Sequence, residues 1–168
     1  MNTRTIEKRL SRSPLTKHFF LGVFPCDRVP TVRRFPCAFV LNLDPSSEVG
    51  SHWVAVFMPR SREIHYFDSY GRPPNECIRN ALRGYGRITH NTYAFQALDS
   101  SVCGLYTMYF IVLSSVGIGF PQIISRLKRV KYSTDNHVIA MLNKLKIYLR
   151  ECFVNFSIFY FSNININL

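Results

Sequence analysis

Four polar residues are spaced along the chain so that they could form a thiol-based site for acyl transfer, beginning with Cys103. This cysteine follows Asp99–Ser101 and precedes a long apolar run, so we expect it near the N-terminus of a helix that those polar side chains cap. Aligned backbone dipoles there favour a thiolate and lower the thiol pKa, and Gly104 leaves room for another backbone to approach. Cys103 is therefore the candidate nucleophile, although a single cysteine in such a position is more often structural.

A thiol nucleophile needs a nearby base, and the chain offers five histidines. His52 is the best placed, because it follows the Gly-containing segment 49–51 and enters an apolar strand beside Trp53. Asp68 closes the next predicted strand, and the two open ends of a hairpin lie at the same edge of a sheet. We therefore expect Asp68 to reach and orient the His52 imidazole; a surface histidine and a turn aspartate are the alternative interpretation.

Acyl transfer also requires hydrogen-bond donors for the negative oxygen of the tetrahedral intermediate. Gln96 lies seven residues before Cys103 and carries an uncharged amide donor. The backbone N–H of Cys103 would be the second donor of this oxyanion hole. Without the other three residues, Gln96 would be interpreted as an ordinary loop amide.

Apolar runs and turn residues predict the elements that position these side chains. The apolar segment 19–24 stops at Pro25, and the runs at 37–41, 53–58 and 64–67 predict buried strands. The last two runs are joined by a four-residue turn at 59–62 and form a hairpin. The remaining predictions are a short strand at 93–95, a weak helix within 1–17, and helices at 75–83 with Asn75 as N-cap and at 135–150. The uncharged run at 105–116 favours a helix buried on all sides, although its aromatic and β-branched residues also suit a strand.

The composition excludes several classes of protein. The 168 residues are 47% hydrophobic and only 18% charged, which predicts one folded domain rather than a disordered chain. No uncharged apolar run is long enough for a membrane helix, and no signal-peptide pattern opens the chain. Five cysteines without a Cys-x-x-Cys pair argue against a disulfide framework or a zinc site. We expect a basic arm at 1–18 packed on a single domain at 19–150, followed by an uncharged tail at 151–168.

The formal net charge of +11 favours a polyanionic partner such as DNA. Lys and Arg side chains that bind phosphates displace the counterions condensed on DNA, and the release of these counterions favours binding. A soluble basic protein without such a partner is the alternative. The cations cluster in two stretches of the sequence. The candidate DNA-binding residues are Arg79, Arg83, Arg87, Arg126, Lys128, Arg129 and Lys131.

These residues together resemble the adenovirus-type cysteine protease family, the adenains, whose clan also includes the SUMO-deconjugating proteases. Three ordered blocks carry the catalytic positions: Gly50–Trp53, Tyr66–Gly71, and Gln96 with Cys103–Tyr106. The spacing from Gln96 to Cys103 is closer to adenain than to the SUMO proteases. Further blocks resemble the family at Phe20–Gly22, Asp27–Arg28, Cys37–Val40 and Pro59–Ser61. The resemblance covers residues 19–140, and similar proteases occur in Maverick/Polinton DNA transposons.

The resemblance implies an α+β fold of the papain-like clan, with a central mixed β-sheet flanked by helices and the nucleophile at the N-terminus of a buried helix. It implies that Cys103 forms an acyl-enzyme, that His52 protonates the leaving amine, that Asp68 stabilises the imidazolium and that Gln96 binds the oxyanion. Family substrates are capsid and core precursors cut beside small residues, often Gly. No metal or small-molecule cofactor is implied, whereas DNA and an activating peptide are; the family's disulfide to that peptide is not carried over, because residues 78–102 contain no cysteine.

Two other functions stay open at this point. One is a deconjugating protease for a ubiquitin-like or SUMO-like protein, and the other is an inactive protein that binds DNA. The protease hypothesis predicts protein substrates, no membrane association and a monomer. It also predicts a reducing intracellular compartment, with the host nucleus or a virion-like particle as the location.

Overall fold

The computed structural model describes residues 2–151, and the side chains of residues 2–145. Its centre is one five-stranded sheet in the order β1-β2-β3-β4-β5. The outer pairs β1–β2 and β4–β5 are parallel, whereas β2–β3 and β3–β4 are antiparallel. The strands are β1 (Phe20–Pro25), β2 (Cys37–Asn42), β3 (Trp53–Arg60), β4 (Arg62–Phe67) and β5 (Gly86–His90).

Strand β2 is buried along its whole length, because helices cover both faces of the sheet. Its side chains alternate between two apolar clusters: Ala38 and Val40 face one, while Phe39 and Leu41 face the other. This explains why the segment reads as a continuous apolar run rather than as an alternating one. The predicted strands at 37–41, 53–58 and 64–67 are confirmed by β2, β3 and β4.

The helices are α1 (Thr3–Arg12), α2 (Glu76–Leu82), α3 (Cys103–Ser115), α4 (Phe120–Lys128) and α5 (Thr134–Glu151). Helix α3 packs against β3, and α1, α4 and α5 contact it in turn. Eleven of the 13 residues of α3 are buried, as its charge-free sequence predicts. Helix α2 covers the other face through Ile78 and Leu82, and the Asn75 side chain caps it as predicted. The predicted α+β class with a central mixed sheet and flanking helices is confirmed.

An aromatic stack joins α3 to the strand that precedes the candidate aspartate. The Phe67 ring is parallel to that of Phe110 at 5.0 Å and also stacks on Phe95 and Tyr106. The Tyr106 hydroxyl donates to Asp135 Oδ1 at 2.7 Å and lies 3.1 Å from the Phe95 carbonyl oxygen. Strand β4, α3 and the loop before α3 are therefore held together by one buried cluster.

The predicted four-residue turn at 59–62 is wrong. Strand β3 runs on to Arg60 and β4 begins at Arg62, so only Ser61 lies between the strands. The hairpin closes this tightly because Arg62 adopts a positive φ of 65° and the register shifts between Phe57 and Arg60. Pro59 is tolerated within β3 because it lies at this irregularity.

The predicted strand at 93–95 is also wrong, and three elements, β1, β5 and α4, were not predicted. Residues 93–95 form a loop because the amides of Phe95 and Gln96 both donate to the Ser69 carbonyl oxygen instead of to a strand. Strand β5 was missed because its one apolar residue, Ile88, gives too short a pattern. Helix α4 was missed because its segment was interpreted only as a cluster of cations, although Pro121 suits the first turn of a helix.

The basic segment at the N-terminus forms the full helix α1, which buries Ile6 and Leu10 and ends before Pro14. The expected capping of α3 by Asp99–Ser101 is wrong: Val102 occupies the N-cap position and no side chain caps the helix. The predicted tail lies, apart from Glu151, outside the described residues. Among residues 2–151, no helix has the length and apolar character needed to cross a membrane.

Candidate active site

The ends of three elements converge at one edge of the sheet. His52 immediately precedes β3, Asp68 immediately follows β4, and Cys103 is the first residue of α3. Because β3 and β4 are antiparallel neighbours, the start of one lies beside the end of the other, as the hairpin argument anticipates. All three residues are buried, with His52 7% and Asp68 0% exposed. The structure therefore brings together the residues predicted as base, orienting carboxylate and nucleophile.

The His52 ring is tied to Asp68 by a short hydrogen bond. Nε2 of His52 donates to Oδ1 of Asp68 at 2.6 Å. The other ring nitrogen, Nδ1, is therefore available for the hydrogen bond between His52 and Cys103. A buried carboxylate at this position fixes the tautomer and orientation of the imidazole, which a base serving a thiol requires.

Asp68 is itself held by the backbone around it. Its Oδ1 accepts the Tyr70 amide at 2.9 Å and its Oδ2 accepts the Arg72 amide at 3.3 Å. The buried Asn91 side chain accepts the Asp68 amide at 3.0 Å and donates to its carbonyl oxygen at 2.7 Å. These bonds satisfy the carboxylate and its backbone, so a buried negative charge is tolerated.

The protonation of the His52 imidazole is shifted by these contacts. Burial favours the neutral ring, but the hydrogen bond to Asp68, the hydrogen bond to Cys103 and the negative charges of both partners outweigh it. They raise the pKa of His52 from 6.5 to about 9. The ring is therefore protonated at neutral pH.

The Cys103 thiol is shifted in the opposite direction. Burial alone would raise its pKa, but the hydrogen bond from His52 and those from the amides of Trp53 and Gly104 hold the pKa below the usual 9.0. Cys37, buried in the core, shows burial without such partners: its pKa rises to about 11. The opposite shifts of these two pKa values favour a thiolate–imidazolium pair, the form in which a cysteine attacks a carbonyl.

Gln96 lies in the same site, buried in the loop that leads to α3. Its Oε1 accepts the Ser69 hydroxyl at 2.8 Å. Its Nε2 donates to the Ser100 carbonyl oxygen at 2.8 Å and to the Tyr70 hydroxyl at 3.1 Å. As the first residue of α3, Cys103 also has an amide without an acceptor inside the helix. Both predicted oxyanion donors therefore belong to the segment 96–103 that leads into α3.

Three residues that organise this site were missed: Ser69, Tyr70 and Asn91. Ser69 positions the Gln96 amide, Asn91 holds the Asp68 backbone, and Tyr70 contacts both His52 and Gln96. Ser69 and Tyr70 stand directly after the candidate aspartate, which was the available signal. Asn91 is 23 residues away from Asp68, and nothing in its local sequence indicates the contact.

The seven candidate DNA-binding residues are all exposed. They do not form one helical face, because α2 ends at Leu82 and Arg87 lies in β5, beside Arg60 and Arg62. Arg126 and Lys128 belong to the last turn of α4, and the Lys128 ammonium lies 5.4 Å from the centre of the Tyr93 ring. Between residues 2 and 151, no group of His, Cys, Asp and Glu is arranged to hold a metal ion.

Comparison by sequence identifies a viral relative, and comparison by structure identifies a protein of similar fold. The chain is 30% identical over 100 residues to "Putative thiol protease R355" of Acanthamoeba polyphaga mimivirus, an alignment that covers 52% of this chain and 33% of that protein. The chain thus spans about a third of the length of this curated relative. No protein-family model matches the chain.

Among solved structures, the crystal structure of the ASFV pS273R protease superposes with a TM-score of 0.51. The match covers 82% of this chain and 64% of that one, at 19% sequence identity. At this identity the likeness concerns the fold. The mixed sheet with flanking helices is therefore a fold that this chain shares with the ASFV pS273R protease, in agreement with the fold class that the sequence predicts.

Proposed function

We propose that the protein is a cysteine endopeptidase. The observation that carries the proposal is the buried His52–Asp68 pair, joined at 2.6 Å, beside a thiol at the start of α3. Two comparisons agree with this proposal. The name of the mimivirus relative contains "thiol protease", and the ASFV protease has a similar fold. All four residues that the proposed reaction needs are present in one buried site.

In the proposed reaction the Cys103 thiolate attacks the scissile carbonyl carbon and its C=O electron pair moves onto oxygen. The oxyanion then collapses, the C–N bond breaks, and His52 gives its proton to the leaving amine. Water, deprotonated by the now neutral His52, adds its oxygen to the acyl carbon. The C–S bond then breaks, the carboxylic acid product leaves, and the Cys103 thiolate and the His52 imidazolium are restored. Asp68 stabilises the imidazolium throughout, because its carboxylate stays hydrogen-bonded to Nε2.

The substrates that we propose are viral or virus-like capsid and core precursor proteins, cut near small residues such as Gly. Support comes from the adenain-like order of the motifs and from the viral origin of the relatives. Two exposed apolar residues, Val49 and Leu98, lie on the loops that lead to His52 and Cys103. We propose that they contact an extended peptide substrate.

The first experiment measures thiol reactivity and peptide hydrolysis on the full chain. Iodoacetamide near neutral pH should label Cys103 preferentially, and Cys103→Ala should abolish hydrolysis of Gly-containing peptides. Cys37→Ala is the matched control, since it removes a buried thiol whose pKa is raised, and it should retain activity. Labelling of Cys103 that is unchanged in His52→Ala would contradict an activated pair.

The second experiment tests the substrate class. The wild type and Cys103→Ala are incubated with the structural proteins encoded by the same genome or element, and with a ubiquitin-like fusion. Cleavage of the structural proteins beside small residues supports maturation. Cleavage of the ubiquitin-like fusion alone would instead support a deconjugating protease.

We also propose DNA as an activating partner, which would place the protein in the nucleus or in a particle that contains a genome. The net charge of +11 and the seven exposed candidate cations support this proposal. Binding to duplex DNA should weaken steeply between about 50 and 200 mM salt, because bound cations release counterions from the duplex. Hydrolysis measured with and without DNA tests activation. Affinity that is independent of salt would contradict the electrostatic account.

A further inference from the structure

Two thiols that the proposed reaction does not use lie on the face of the sheet that α2 covers. Cys26 directly follows β1, and Cys77 is the second residue of α2. Cys26 is 3% exposed and belongs to the apolar cluster of Phe39 and Leu41, against which the half-buried Cys77 also packs. Two cysteines that are distant in the sequence therefore meet in one cluster.

Both thiol-bearing segments are anchored to the same short stretch of backbone after β2. The Cys26 amide donates to the Asp44 carbonyl oxygen at 3.3 Å. The Asn75 side chain donates to the neighbouring Leu43 carbonyl oxygen at 3.2 Å and, as the N-cap of α2, accepts the Ile78 amide at 2.9 Å. The end of β1 and the first turn of α2 are thus bonded to consecutive peptide groups, which fixes the distance between the two segments.

The side chains of the two cysteines are themselves in contact, because the Cys26 thiol is hydrogen-bonded to the Cys77 thiol. Burial, this hydrogen bond and the negative charge that Cys77 can carry raise the pKa of Cys26 to about 12. Cys77 is the more exposed of the two, so a reagent in solution reaches its sulfur first. The pair therefore consists of an outer thiol and an inner one.

The other described cysteines lie elsewhere. Cys37 belongs to the same cluster but opens β2, whereas Pro25, the residue before Cys26, pairs with Asn42 at the other end of that strand. Cys103 begins α3, which packs on the opposite face of the sheet. Within residues 2–145, the contacts therefore bring together the thiols that follow β1 and begin α2.

We propose that Cys26 and Cys77 form a reversible disulfide when the protein meets a disulfide oxidant such as oxidised glutathione. The Cys77 thiolate attacks one glutathione sulfur, forms a mixed disulfide and releases one glutathione thiolate. Cys26 then loses its proton, and its sulfur attacks the Cys77 sulfur and expels the second glutathione thiolate. The two protein thiols lose two electrons and two protons, and one glutathione disulfide is reduced to two glutathione molecules.

The disulfide would tie β1 to α2 and close a loop of chain that contains β2, β3 and β4. Closing a long loop restricts the unfolded chain and so stabilises the folded one. The thiols would stay reduced in the reducing compartment that the sequence predicts, whereas the disulfide would protect the fold in an oxidising medium. Cys103 takes no part in the crosslink, so the pairing does not depend on the proposed function.

The test is a peptide map of the full chain after incubation with oxidised glutathione. The protein is denatured, its free thiols are alkylated with iodoacetamide, and it is digested without reductant. We expect one linked pair of peptides, containing Cys26 and Cys77, that disappears when dithiothreitol is added first. Cys103→Ala should give the same linked pair. Cys77 carrying only glutathione while Cys26 is alkylated would overturn the proposal, and so would a link from Cys77 to any other cysteine.

Thermal unfolding of the oxidised and reduced forms is the second measurement. Oxidation should raise the Tm of the wild type by about 5 °C or more, and dithiothreitol should reverse the shift. Cys26→Ala and Cys77→Ala should each abolish the oxidant-dependent shift. Cys37→Ala, which removes a thiol from the same cluster, is the matched control and should retain it, as should Cys152→Ser. A shift that persists in Cys77→Ala would overturn the assignment, and the peptide map of the wild type decides the matter if a variant fails to fold.

Discussion

The β3–β4 hairpin carries a histidine–carboxylate pair at each end, and the two pairs are similar in distance but differ in their surroundings. At the open end, His52 Nε2 lies 2.6 Å from Asp68. Near the turn, His65 Nε2 lies 2.9 Å from Glu63. The distances alone would give the two pairs the same role.

Their surroundings separate them. The Asp68 side chain is 0% exposed, whereas that of Glu63 is 32% exposed and also accepts Arg60 Nε at 2.6 Å. The Arg60 hydrogen bond is the main reason that the pKa of Glu63 is lowered. The His65 ring lies against the aromatic rings of Phe57 and Phe120 rather than beside a thiol. A histidine–carboxylate pair is therefore informative only when its carboxylate is buried and its second nitrogen faces a nucleophile.

Removal of each histidine should give the largest contrast between the two ends. His52→Ala should reduce kcat/KM on the order of 10⁶-fold, because loss of the base costs about as much as loss of the whole triad. His65→Ala should retain hydrolysis within a few-fold, measured on the same peptide after both variants are shown to be folded. Equal losses of kcat/KM in the two variants would show that the two histidines contribute equally to hydrolysis.

The carboxylates should give the next largest contrast. Asp68→Asn should reduce kcat on the order of 10⁴-fold, because the imidazolium loses its charged partner and its fixed tautomer. Glu63→Gln should leave kcat close to that of the wild type. The measurement is steady-state kinetics on both variants, with circular dichroism as the control for folding. A lower kcat in Glu63→Gln than in Asp68→Asn would contradict the assignment of the catalytic role to the Asp68 end of the hairpin.

The pH dependence of hydrolysis should distinguish the two ends more finely. Activity needs the Cys103 thiolate and the His52 imidazolium together, so it should rise as pH passes the lowered pKa of Cys103 and fall as pH passes about 9. Asp68→Asn removes the largest factor that raises the pKa of His52, so the falling limb should move to lower pH. The limb should stay in place in Glu63→Gln, and a shift there would mean that Glu63 reaches the site.

Stability should show the smallest contrast. Asn91→Ala leaves the buried amide and carbonyl of Asp68 without their partner, and it should lower the free energy of unfolding by about 1–3 kcal/mol. Arg60→Ala breaks an ion pair whose arginine side chain is 80% exposed, and urea denaturation should show a loss of at most about 1 kcal/mol. A larger loss in Arg60→Ala would show that the turn end is the more strongly coupled of the two.

Some of this arrangement could be predicted from the sequence because it depends on neighbours along the chain. The apolar runs predict β2, β3 and β4. The hairpin that joins β3 to β4 brings His52 toward Asp68 without requiring a contact between segments that are distant in the sequence. Strand β5 could not be predicted, since an edge strand with one apolar residue carries little signal. The hydrogen bonds of Tyr70 and Asn91 could not be predicted either, because they depend on how loops distant in sequence close around Asp68.

Helix α3 couples the candidate nucleophile to the rest of the protein. Cys103 is the first residue of a helix that is buried on nearly every side, so the sulfur and the interior of the molecule belong to one rigid unit. The backbone of Cys103 is therefore fixed by the packing of Tyr106, Phe110 and the strand that contacts α3. Heat should therefore not create a folded but inactive form by loosening the nucleophile: loss of hydrolysis should coincide with the cooperative loss of tertiary structure.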